Sequence, residues 1–156
     1  QLLDAMEPLR AGYLLLGLAL LLGACSETDR PVPPAGSVAC RLELQDSRYR
    51  PLLAPGGIAM VTEPPTASAR IGLRGLAVVH GLTGQADYFA YDLACPHELG
   101  QLVRLELRDR QLDCPSCHSS YELLSGLGAP IAGPARSPLL RYRMHQLDRY
   151  RLLIAN

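Results

Sequence analysis

Cys114-Pro115-Ser116-Cys117-His118-Ser119-Ser120-Tyr121-Glu122-Leu123 sets two thiols and an imidazole within five residues and follows them with a hydroxyl-bearing tail. Upstream, Cys95-Pro96-His97 offers a second thiol and imidazole, and sixteen residues separate His97 from Cys114. Thiolate and imidazole are the soft and borderline donors that zinc and iron–sulfur clusters select. The proline in each box fixes φ and removes an amide donor, which stiffens the loop and lowers the cost of holding ligands in place. Each box lies just past a predicted strand, Tyr88 to Leu93 for the first and 111–113 for the second. One hairpin separates them, so both loops come to one tip of a sheet.

Outward from the boxes the chain reads as short strands. Residues 39–44 place Cys40, Leu42 and Leu44 on one face and Arg41 and Glu43 on the other, the period of a half-buried strand. Residues 58–62 form a short apolar run after Pro55-Gly56-Gly57, and 76–80 and 87–92 flank a hairpin at Gly81-Leu82-Thr83-Gly84. Val103, Leu105 and Leu107 alternate with arginine and glutamate before Asp109-Arg110 turns the chain into 111–113. Leu140, Tyr142 and Met144, then Tyr150, Leu152 and Ile154, repeat the alternation near the end. The 14 glycines and 13 prolines favour turns, and beyond residue 25 no segment holds a helical period. The patterns predict an all-β, antiparallel domain over 37–156, of seven to ten strands, with a two-loop metal-binding tip. His80 and His145 read as ordinary strand residues and Cys40 as a buried thiol.

Cys-x-His followed sixteen residues later by Cys-x-x-ligand resembles the Rieske [2Fe–2S] domain. Ser119-Ser120-Tyr121-Glu122-Leu123 is similar to the Gly-Ser-x-Phe/Tyr-Asp tail of that family's second box. Gly133-Pro134-Ala135-Arg136-Ser137-Pro138-Leu139 resembles the proline loop that comes after it. The likeness covers residues 70–156. It implies a small Rieske-like β-sandwich, a [2Fe–2S] cluster at the tip, and hydroxyls of Ser119 and Tyr121 bonded to cluster or cysteine sulfur. The family's second box normally reads Cys-x-x-His. A gapless match puts Cys117 at that histidine and His118 at the usual glycine, and it keeps Ser119 and Tyr121 in register. The ligand set so implied is Cys95, His97, Cys114 and Cys117; a local bulge would present His118 as the fourth ligand instead. A third thiolate in place of a neutral imidazole adds negative charge and lowers the reduction potential, which hydrogen bonds to sulfur partly restore. Disulfide-bearing Rieske proteins carry an extra cysteine in each loop; here Gly100 and Ser116 stand there, so the likeness is to the ferredoxin-like branch.

The residues leave other occupants open. Three cysteines and one histidine also make an ordinary tetrahedral zinc site. In an oxidising compartment Cys114 and Cys117 could pair with each other, or either with Cys95. A thiol–disulfide oxidoreductase built on Cys114-Pro115-Ser116-Cys117 needs a βαβ setting, and the chain reads as β here.

The N-terminus reads as an address. Residues 12–22 are an apolar run, shorter than the roughly 20 residues of a membrane span, with Arg10 before it. The run ends in Leu22-Gly23-Ala24-Cys25, which resembles a bacterial lipoprotein cleavage box. The resemblance implies a signal peptide over 1–24 and lipid on Cys25, with Ser26 in place of Asp pointing to the outer membrane. Residues 25–36, polar and proline-rich, would form the tether.

Across 156 residues the formal net charge is zero, which gives no electrostatic case for nucleic acid. No second cofactor motif appears, and no length remains for a mononuclear-iron oxygenase domain. The expectation is a non-enzymatic electron carrier of the bacterial envelope, membrane-attached through lipid and working with a redox partner protein. A structural or binding lipoprotein holding zinc or no metal is the alternative.

Overall fold

The computed structural model describes residues 36–83 and 87–156. The expected signal peptide, the lipidation site Cys25 and nearly all of the tether lie outside the described residues, as do 84–86 in the predicted hairpin turn.

Every strand pairing is antiparallel, and the described residues form two sheets. The strands are β1 (Val38–Glu43), β2 (Ile58–Val61), β3 (Arg70–Ile71), β4 (Leu76–His80), β5 (Tyr88–Asp92), β6 (Glu106–Arg108), β7 (Gln111–Asp113), β8 (Ser120–Glu122), β9 (Pro130–Ala132), β10 (Arg141–Asp148) and β11 (Arg151–Ala155). One sheet has seven strands in the order β2-β4-β5-β10-β11-β1-β3, the other four in the order β6-β7-β8-β9. The expected all-β class holds, but the strand count exceeds seven to ten. The surplus comes from β3, β8 and β9, of two or three residues each, too short to show a period. Nor does the alternation at 103–107 make one continuous strand. Residues 103–105 run beside the Cys95-Pro96-His97 loop, with Cys95 N donating to Val103 O (2.9 Å) and Leu105 N to Leu93 O (2.8 Å), and β6 starts at Glu106.

β4 is buried along its whole length, and β5 is buried except for half-buried Phe89. Side chains alternate across a strand, so this pair serves two cores. Leu76, Val78, Tyr88 and Ala90 join Cys40, Leu42, Leu152 and Ile154 in the first. Ala77, Val79, Tyr91 and Leu93 join Leu105, Leu112, Tyr121 and Leu123 in the second, between the two sheets. Each large aliphatic so enclosed stabilises the fold by about 1.5–3 kcal/mol. β10 joins the halves of the large sheet. Arg141 and Tyr142 pair with β5, and the stretch from Arg143 to Asp148 pairs with β11. Because β1 and β11 share a core with β4 and β5, the sheet must curl around it. Cys40 lies inside this core, and burial pushes its thiol up to about 11. His80 Nδ1 lies 2.8 Å from Leu52 O and its ring stacks on Tyr88, so it is a satisfied strand residue. His145 is exposed on β10.

Candidate metal centre

The first loop hangs from a buried acid. Asp92 closes β5 with no exposed surface. Its carboxylate accepts the amides of Leu73 (2.7 Å), Arg74 (3.2 Å) and Ala94 (2.7 Å) and the hydroxyl of Tyr142 (2.7 Å). Four donors hold this buried carboxylate, and one of them is the amide of Ala94, one residue before Cys95. Beyond it, Pro96–Glu98 form a single 3-10 turn, with Glu98 N donating to Cys95 O. Cys95 faces the second core and has no exposed surface, whereas His97 is exposed on the turn.

The second loop leaves β7 at Asp113 and returns into β8. Cys114 N donates to Ser119 O (2.8 Å) and His118 N to Cys114 O (3.1 Å), which closes the loop on itself. His118 takes φ 59°, the left-handed region that favours glycine. The gapless match places the family's glycine at this position. Gly133, at φ +85°, backs onto the loop. A Cβ there would stand 2.5 Å from Ser119 Cα and 2.7 Å from His118 O. Ala135 N donates to Ser119 Oγ (3.0 Å), so the proline loop supports the second box through its serine.

At the tip the sulfurs of Cys95, Cys114 and Cys117 all lie within 4.8 Å of one another. Cys95 Sγ is 3.7 Å from Cys117 Sγ and 3.5 Å from the Tyr121 hydroxyl, and the Cys117 thiol donates to Ser119 Oγ at 3.2 Å. Both hydroxyls that the resemblance singles out thus touch cysteine sulfur. Burial pushes the Cys95 thiol up to about 12, although the Tyr121 hydroxyl pulls the other way. Burial also raises Cys117, but hydrogen bonds from the Ser119 side chain and backbone and from the two neighbouring thiols outweigh it, and its thiol falls below the ordinary value. Across the loops Ser116 Oγ donates to Glu98 (3.4 Å).

Neither imidazole belongs to this close group. His118 is exposed and lines a hollow of about 280 Å³ with Glu106, Arg108 and Asp113, which also touches Cys114. Two supports escaped sequence reasoning. Asp92 is the one carboxylate ending a strand that is otherwise aromatic and alanine (Tyr88-Phe89-Ala90-Tyr91), a signal that could have found it. Gly133 lay inside a recognised loop, but its contact with the second box is tertiary and left no local sign.

No protein-family model and no curated protein matches this chain. Among solved structures, a complex of reduced oxygenase and oxidized ferredoxin in carbazole 1,9a-dioxygenase is 17% identical, with a TM-score of 0.43 over 77% of this chain and 92% of that one. A Sphingomonas yanoikuyae B1 ferredoxin is 17% identical, with a TM-score of 0.44 over 78% of this chain and 98% of that one. Likenesses at this identity and TM-score assign no chemistry.

Proposed function

We propose that the two-loop tip holds a [2Fe–2S] cluster and that the chain is an electron carrier anchored in the bacterial envelope. The observation that carries this reading is the convergence of three thiols from two loops, with a hydroxyl on each of two sulfurs. The donor set fits a thiolate-rich metal centre. Cys95, Cys114 and Cys117 supply the sulfur ligands and His97, two residues beyond Cys95, the imidazole. A cluster held there supplies one reversible electron per encounter. Tyr121 and Ser119 orient the sulfurs and, once these are thiolates, donate to them, which favours the more negative reduced state. Exposed His97 and His118 mark the tip as the face that a redox partner protein covers, in a small and transient contact. Lipid on Cys25 would hold the domain at the outer membrane by a proline-rich tether, which keeps the tip free to meet that partner.

A second reading has its own observation. Two thiolates about 2.3 Å from one tetrahedral zinc stand roughly 3.8 Å apart, and Cys95 and Cys117 stand 3.7 Å apart. One measurement decides. The full chain is purified without oxygen, and its visible spectrum, iron, acid-labile sulfide and zinc are determined. Two irons and two sulfides per chain with visible charge-transfer bands are expected. One zinc, or no metal, sinks the electron-carrier reading and leaves a structural or binding lipoprotein. Radiolabelled palmitate incorporated by the native chain and absent from Cys25→Ser tests the anchor.

A further inference from the structure

The three cysteines differ in reach. Cys95 and Cys114 are 0% and 2% exposed, while Cys117 is only half-buried, so a reagent in solvent meets Cys117 first. Cys117 Sγ lies 3.7 Å from Cys95 Sγ, which belongs to the other loop and is 22 residues distant in sequence. A disulfide needs its sulfurs about 2.05 Å apart, so closure from 3.7 Å requires the two side chains to move together. The loops are already tied together by Ser116 and Glu98. Cys40 sits in the other core and is out of reach.

We propose that Cys117 is a redox modification site, which in the metal-free chain closes a reversible disulfide with Cys95 when it meets a low-molecular-weight disulfide. The Cys117 sulfur attacks one sulfur of the oxidant, forming a mixed disulfide and releasing one thiol. The Cys95 sulfur then attacks Cys117 Sγ. The Cys95–Cys117 bond forms, the bond from Cys117 to the small thiol breaks, and the proton of Cys95 leaves with the second small thiol. Two protein thiols are oxidised and one disulfide is reduced to two thiols, by ordinary thiol–disulfide exchange. Closure takes one sulfur from each loop, so the bridged chain cannot rebuild its metal centre until it is reduced. A histidine in place of Cys117 would have no such chemistry.

The inference rests on the thiol geometry and not on which metal the tip takes. The full chain is stripped with a chelator under reducing conditions, freed of reductant and exposed to glutathione disulfide. Free thiols are then alkylated in denaturant and the peptides mapped by mass spectrometry. The expected result is one bridge, Cys95–Cys117, reversed by dithiothreitol and absent when the metal-loaded chain is treated alike. Cys95→Ser should stop at glutathione on Cys117, and Cys117→Ser should take up none. A bridge mapped to Cys114, or a wild-type chain left fully alkylatable or halted at the mixed disulfide, overturns the proposal. A chain that holds zinc would fail as an electron carrier and still form the bridge. A chain that holds iron and sulfide but forms no bridge would separate the two the other way.

Discussion

Single atoms decide what this tip can do, and Cys117, the fourth ligand of the proposed centre, shows it best. Cys117 stands where a histidine would leave the centre less negative, and its sulfur lies against Cys95 and Ser119. Thiolate-for-imidazole exchange accounts for much of the span between Rieske centres and thiolate-only ferredoxins. Cys117→His should therefore raise the midpoint potential of the cluster-loaded chain by roughly 100 mV or more. His118→Ala should leave it within experimental error, because the proposed ligand set takes its fourth donor from Cys117, and His118 is an exposed residue lining the hollow beside Cys114. Voltammetry on both variants checks this, and an unmoved potential in Cys117→His would return the fourth ligand to His118. Asp92 makes a second residue-scale case. Asp92→Ala leaves three amides and the Tyr142 hydroxyl without their acceptor. Stranded buried donors cost about 1–3 kcal/mol each, so a loss of roughly 3–5 kcal/mol by denaturant unfolding is expected. Tyr142→Phe removes one donor and should cost about 1–2 kcal/mol.

At the scale of elements, the proline loop and the second box behave as one unit. Gly133→Ala combines a left-handed backbone with a Cβ driven onto Ser119 Cα and His118 O. Relief requires the loop to retreat from Ser119, which breaks the Ala135 N to Ser119 Oγ bond and loosens the sulfur partner of Cys117. A destabilisation of about 2 kcal/mol is expected, together with lower metal content in protein purified identically; stability and metal content both equal to wild type would disprove the coupling. This coupling was not legible in the sequence, and the reason is general. Period-two alternation revealed β1, the first half of β10 and β11, because each presents one face to a core and one to water; beyond Met144, β10 is exposed on both faces. β8 and β9, three residues each, present no period, and their pairing depends on where the proline loop packs. The two cysteine boxes were legible as loops because stiff turns past strand ends carry their own punctuation. The convergence of Cys95, Cys114 and Cys117 is instead a product of tertiary packing: two of the three belong to the second core.

For the whole molecule, that last fact sets how a metal at the tip would couple to folding. The first core, built on β1, β11 and the inner faces of β4 and β5, contains none of the three clustered cysteines. The second core contains Cys95 and Cys114, with half-buried Cys117 packed against it, and it is the contact between the small sheet and the large one. A metal tying the two loops together, as proposed, would therefore stabilise the second core directly and the first only through the shared strands. Ligand binding protects from exchange those amides whose opening breaks the site. Stripping the metal from the full chain, kept reduced, should accelerate amide exchange in β6, β7 and β8 by roughly tenfold or more, the effect of about 1.4 kcal/mol. Amides of β1 and β11 should change much less, since their ladder closes the other core. Hydrogen exchange read by mass spectrometry on loaded and stripped protein makes the comparison peptide by peptide. Uniform acceleration through all strands would mean that the two cores open together, and the tip would then be part of the global folding unit. Acceleration confined to the small sheet would mean that the large curled sheet is a stable platform from which a less stable metal-binding tip is presented.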